Sequence, residues 1–288
     1  MTRNRITDRT SRLFTSPRRS ALALPATLSF LLLAAVLPTH ALAQEDIGPQ
    51  DTSAADSILR STDEAKVSGL RAHALGSLQK GDPAAAIKAA DAMVRISPDD
   101  PRTTRLAGDI YLRSGKPKWA VRMFDRYLET NADEMPDLWQ RGIALYFMGD
   151  FKTGAEQFER HRTVNPNDVE NAAWHFLCVS KLDSPDEAKK RVLAAPNDPR
   201  IPMEEIRHML ITGDRDAVTN RINETPANSP TRLAAQFYGN FYLGLYADAL
   251  GETEKAKSLM KQAAKDAPRN YMGDIARVYA DWLGEGDL

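Results

Sequence analysis

Glycine falls at positions 81, 115 and 149, each 34 residues after the last, and other marker residues repeat in the same phase. A period of this length allows few architectures, because each unit must be one supersecondary element that buries its apolar face only against its neighbours. With units starting at Val67, Pro101 and Met135, the eighth position holds Ala74, Gly108 and Gly142, and the twentieth holds Ala86, Ala120 and Gly154. The twenty-fourth holds Ala90, Phe124 and Phe158, and the thirty-second holds Pro98, Ala132 and Pro166. Small residues at eight and twenty let two antiparallel helices approach closely, and the larger residue at twenty-four fills the space beyond them. Glycine at fifteen accepts the backbone angles that end a first helix, and proline at thirty-two stops a second.

A helix-turn-helix repeat of 34 residues with these markers resembles the tetratricopeptide repeat, or TPR. The register returns from Phe237, with Gly244, Gly251, Ala256, Met260 and Pro268 in the same columns. An amphipathic stretch from Tyr271 to Leu283 follows and reads as a capping helix closing the open end of the stack. Between Asp168 and Thr231 the markers fade, although helical periodicity persists. Asn171–Leu182 with Asp186–Leu193, and Met203–Ile211 with Asp214–Ile222, read as two degenerate hairpins. The expected fold is an all-α TPR solenoid. Three units span 67–168, degenerate hairpins span 169–230, and a last unit with its capping helix spans 231–288.

The first 43 residues have another character. Six arginines and one acid, Asp8, precede a 17-residue apolar run from Ala21 to Leu37 and then Ala41-Leu42-Ala43. This is the pattern of a secretory signal peptide cleaved near Ala43; the alternative is a leader retained as an anchor. The expected location is therefore periplasmic or secreted. Residues 44–66 are polar and read as a tether that becomes helical only towards Ala65. Without the leader the chain carries 32 basic and 38 acidic residues, close to −6, which argues against nucleic acid as a partner. The single cysteine, Cys178, allows no internal disulfide, so packing alone must stabilise the exported chain.

No nucleophile elbow, zinc-protease motif or phosphate-cradling loop is present. His175 and Cys178 lie three apart and could share a metal or serve an enzyme. Their apolar neighbours Trp174, Phe176 and Leu177 favour an ordinary helix core, so no cofactor and no enzymatic activity are expected. What remains is a surface. In TPR proteins positions two, five, nine, twelve and thirteen of each unit line the concave face. That rule selects Arg102, Arg105, Asp109, Leu112 and Arg113, then Pro136, Trp139, Ile143, Tyr146 and Phe147. A peptide or partner helix could lay apolar side chains on Trp139 and Phe147 and pair its acids with Arg102, Arg105 or Arg113. The same spacing of three and four is also that of a core stripe.

A narrower resemblance starts at the third unit. Arg141-Gly142-Ile143-Ala144-Leu145-Tyr146 is followed by Asn165-Pro166-Asn167-Asp168, a helix holding Trp174 and ending Lys181-Leu182-Asp183, and Phe241-Tyr242-Leu243-Gly244-Leu245-Tyr246 before Leu250-Gly251. This resembles the NlpI-type TPR proteins of bacterial envelopes over residues 67 to 285. The resemblance implies a non-enzymatic adaptor that binds a processing protease and peptidoglycan hydrolases and forms homodimers. That family is lipid-anchored through a cysteine at the end of the leader, and no cysteine stands at the cleavage site of this chain. A structural component or assembly factor of a stable envelope complex is the alternative.

Overall fold

A computed structural model describes residues 52–285; the leader, its cleavage site near Ala43 and residues 44–51 lie outside the described residues. Among the described residues there are α-helices, one 3₁₀ turn (Ala132–Asp137) and no strand. The helices run α1 Thr52–Lys80, α2 Pro83–Ile96, α3 Pro101–Arg113, α4 Pro117–Leu128, α5 Trp139–Phe147, α6 Phe151–His161, α7 Val169–Leu182, α8 Pro185–Lys190, α9 Met203–Thr212, α10 Arg215–Glu224, α11 Pro230–Ala249, α12 Thr253–Asp266 and α13 Tyr271–Glu285. None is long and apolar enough to cross a membrane.

The helices pair as the marker columns require. Gly81, Gly115, Gly149 and Gly251 all have φ between +71° and +78°, which ends the first helix of each pair at little steric cost. Proline then starts the second helix of the first two pairs and lies at N1 of α3, α8 and α11, where its missing N–H costs nothing. Aspartates at 82, 100, 150, 168 and 214 cap α2, α3, α6, α7 and α10. Within pairs, position eight and position twenty-four meet directly. A Cβ on Gly108 would sit 2.5 Å from the Phe124 ring, and one on Gly142 would sit 2.6 Å from Phe158. The large residue thus fills the space within its own pair.

The degenerate middle follows its expected helices closely: α7 with α8, then α9 with α10. One boundary differs. Helix α1 starts at Thr52, so residues 52–66 are helical where a tether was expected. The stretch has neither proline nor glycine before Gly69, so no strong helix breaker interrupts it, and it includes Ala54, Ala55 and Ala65, the best helix formers.

First helices stack on one another: α1 on α3, α3 on α5, and α5 on α7. Helix α11 packs on α7 and α9. Helix α13 packs on α12, as a cap does, and also lies against α3. This second contact decides which part of the first-helix face remains open.

Candidate binding site on the first-helix face

The expected groove residues lie on α3 and α5, and α13 covers most of them. Ile143, Tyr146 and Phe147 are buried. Tyr146 stacks on Tyr279 of α13 at 5.9 Å, and Phe147 meets Tyr279 and Trp282 edge-on at 5.4 and 5.7 Å. The Tyr146 and Tyr279 hydroxyls both donate to Asp248 of α11, at 2.7 and 2.6 Å. Burial, and then the neighbouring charge or hydroxyl, pushes both phenols well above their usual range. Arg113 forks onto Asp274 of α13 at 2.9 and 2.7 Å. Asp109 accepts from the Tyr271 hydroxyl at 3.2 Å, and burial raises its carboxyl to about 6.

The expectation of an open groove across these residues is therefore corrected. The chain's own C-terminal helix supplies the aromatic and acidic groups that a bound helix was expected to bring. The physical reason is that helical spacing is identical for a core stripe and a binding stripe. Arg102 remains exposed beside its cap Asp100, and Arg105 pairs with Glu134 at 3.3 Å while lying over the Tyr127 ring.

Trp139 has a different position. It is half-buried, meets Tyr271 edge-on at 4.9 Å, and lines a cavity of about 260 Å³. Helix α7 contributes Glu170, Asn171 and Trp174, preceded by its cap Asp168, and α6 contributes Phe158 and His161. Tyr238 of α11 and Tyr271 of α13 supply further walls. His161 donates from Nδ1 to the Pro136 carbonyl at 2.8 Å, so its ring orientation is fixed. Asn171 donates to the Phe158 carbonyl at 3.0 Å, which leaves its Oδ1 buried without a partner. The Trp174 Nε1–H is likewise buried and unpartnered. Two residues lining one cavity thus carry an unused acceptor and an unused donor, each costly to leave unmade.

One edge of the cavity is charged. Arg200 donates to Asp168 at 2.8 Å, to Asp198 at 2.6 Å and to Glu170, and lies over the Tyr238 ring. Tyr242 donates to Glu170 from the other side. Burial raises the Glu170 carboxyl even though Arg200 opposes the shift. One guanidinium serves three carboxylates, so this edge favours donors and cations. Aromatic walls, a free amide oxygen, a free indole N–H and an acidic edge suit a peptide segment that offers an amide and an apolar or basic side chain.

Of the expected residues, Trp139 alone lines this cavity. The sequence reading placed Trp174 in a helix core and did not single out Asp168, Glu170, Asn171, Tyr238 or Tyr271. The one available signal was the run of aromatic residues on α11 and at the start of α13.

His175 and Cys178 do not form a reactive pair. His175 donates from Nε2 to the Glu159 carboxylate at 3.2 Å, and burial lowers its imidazole. Cys178 is fully buried and burial pushes its thiol up, so no accessible thiolate exists there. Among the described residues no group of three His, Cys, Asp or Glu side chains could hold a metal ion.

Comparison with known proteins agrees with the repeat register. Residues 77–141 match the tetratricopeptide repeat family. The chain is also similar to a solved structure described as the crystal structure of MamA protein, with a TM-score of 0.39 and 14% identity over 70% of this chain and 91% of that one. The fold is an all-α TPR solenoid, and TPR proteins generally bind other proteins.

Proposed function

We propose that this chain is an exported, non-enzymatic scaffold that binds proteins through the cavity at Trp139. Its specific role is that of an envelope adaptor presenting substrates to a protease or organising peptidoglycan hydrolases. The mechanism is proximity, since holding two partners on one scaffold raises their effective concentration without any chemistry of the scaffold's own. The observation that carries the proposal is the pair of unpartnered groups, Asn171 Oδ1 and Trp174 Nε1, in an aromatic cavity on the first-helix face. Export rests on the leader pattern of residues 1–43, and homodimerisation rests on the resemblance to NlpI-type proteins.

The test is site-specific photo-cross-linking in envelope preparations. A benzophenone side chain at position 139 is compared with one at Leu233, an exposed apolar residue on α11. A protease or wall hydrolase joined from position 139 and absent from position 233 supports the reading. Equal adducts from both positions, or none from 139, contradict it.

A permanent place in an envelope complex is the second reading. It is favoured by Trp119 and Met148, which are 52% and 46% exposed around a recess beside Lys116 and Lys118. Partners that exchange within minutes favour the adaptor; a complex that never dissociates favours the permanent component.

A further inference from the structure

A second cavity lies away from Trp139, where α13 crosses the turns that end α1 and α3. Its volume is about 280 Å³. The lining carries four cations, Arg113, Lys116, Arg269 and Arg277, against two carboxylates, Asp274 and Asp281. Asp274 is already shared: Arg113 donates to its Oδ2 at 2.7 Å and Arg277 to its Oδ1 at 2.9 Å. Neither Lys116 nor Arg269 makes a hydrogen bond or ion pair through its side chain among the described residues.

Two further features point the same way. Gly81, at φ +74°, lacks a side chain at the place the Arg269 guanidinium occupies, and any Cβ there would collide with it. The turn therefore seats the arginine against the backbone at the edge of the cavity. The Ser114 hydroxyl also lines the cavity and is buried without a partner.

We infer that this cavity binds a compact oxyanion, held by Arg269 and Lys116 with the Ser114 hydroxyl as a third donor. A guanidinium, an ammonium and a hydroxyl suit an anion with several acceptor oxygens, either a phosphoryl group or a carboxylate. The ligand would join the turns of the first two repeats to α13 and so tie the C-terminal helix to the repeat stack.

The experiment is calorimetric titration of the full chain with inorganic phosphate and, separately, with acetate, at constant ionic strength. A saturable single-site isotherm with either anion is expected, and the better anion identifies the chemistry. Arg269→Gln and Lys116→Gln should each weaken binding about ten-fold, the loss of one charge-assisted contact. Lys152→Gln, an exposed change outside the cavity, should leave it unchanged. Helicity measured on each variant separates lost binding from lost folding, and Lys116 is exposed enough that its replacement should not disturb the fold. Absence of saturable binding by both anions overturns the inference. So does binding that survives unchanged in both cavity variants.

Discussion

In the second and third helix pairs, a glycine on one helix receives a phenylalanine ring from its partner sixteen residues later, as at Gly108 with Phe124 and Gly142 with Phe158. From α7 onward the contacts are of another kind. Asp248 receives Tyr146 from 102 positions away, Tyr279 from 31 and Lys181 from 67. Arg113 reaches Asp274 over 161 positions, and Tyr242 reaches Glu170 over 72. The first region is held by short-range shape, repeated in register. The second is held by a few buried polar anchors that join distant segments. A solenoid needs only neighbour contacts. The extra anchors are what place α13 over α3 and α5 and leave the Trp139 cavity open beside it.

The largest predicted effect is at the hub of the second region. Asp248→Ala strips the acceptor from two buried phenols and from Lys181 and should cost about 3–5 kcal/mol in urea unfolding. Asp248→Asn keeps an acceptor oxygen and should lose less. If the alanine variant unfolds like the natural chain, the anchors do not hold the C-terminal half.

Asp109 tests the same contact through pH. Its carboxyl is raised to about 6 in the folded chain from an ordinary 3.8, so the folded state holds the proton more tightly than the unfolded state. Its contribution to stability is complete below about 3.8 and is lost as pH rises through about 6. Asp109→Asn cannot titrate and keeps an acceptor for Tyr271. Its stability relative to the natural chain should therefore improve by roughly 2–3 kcal/mol between pH 4 and pH 7. Chemical denaturation at the two pH values checks this; an unchanged difference would show that α13 leaves Asp109 in water.

Two glycines sharpen the description of the first region. Gly142→Ala drives a methyl into the Phe158 ring and should cost about 1–3 kcal/mol. Gly149→Ala meets open space and carries only the strain of φ +78°, about 1–2 kcal/mol. Replacing Phe158 by leucine should relieve the Gly142 variant and leave the Gly149 variant as it was. Equal rescue of both would refute the ring-on-glycine account. The smallest effect belongs to Arg102→Ala, an exposed partner of its own helix cap, which should change the unfolding free energy by no more than about 0.5 kcal/mol.

The two regions also differ in how much of them is legible in the sequence. The repeat register was readable because its constraints are local and recur: a positive φ at every fifteenth column, and a ring over Gly108 and Gly142 at the eighth. Even the unmarked helices α7 to α10 were readable, since amphipathic periodicity survives without the small-residue markers. Packing across 100 or more positions leaves no such trace. Nothing in the spacing of Ile143, Tyr146 and Phe147 distinguishes a face awaiting a partner from one covered by Tyr279. The Trp139 cavity was hidden for the same reason, because four separate helices and α13 build it. Arg113 and Asp109 lie on the first-helix face, but Asp274 and Tyr271 of α13 take the place of the bound partner that the pattern suggested.

The central claim is that α13 is fixed against α3 and α5, closing that part of the face. Hydrogen–deuterium exchange of the full chain, followed over residues 271–285, tests it most directly. Protection of α13 comparable to that of α5 and α12, collapsing in Asp248→Ala, is the predicted result. Exchange of α13 in the natural chain at the rate of an unstructured segment, with α12 still protected, would contradict the claim and return Ile143, Tyr146 and Phe147 to an open groove.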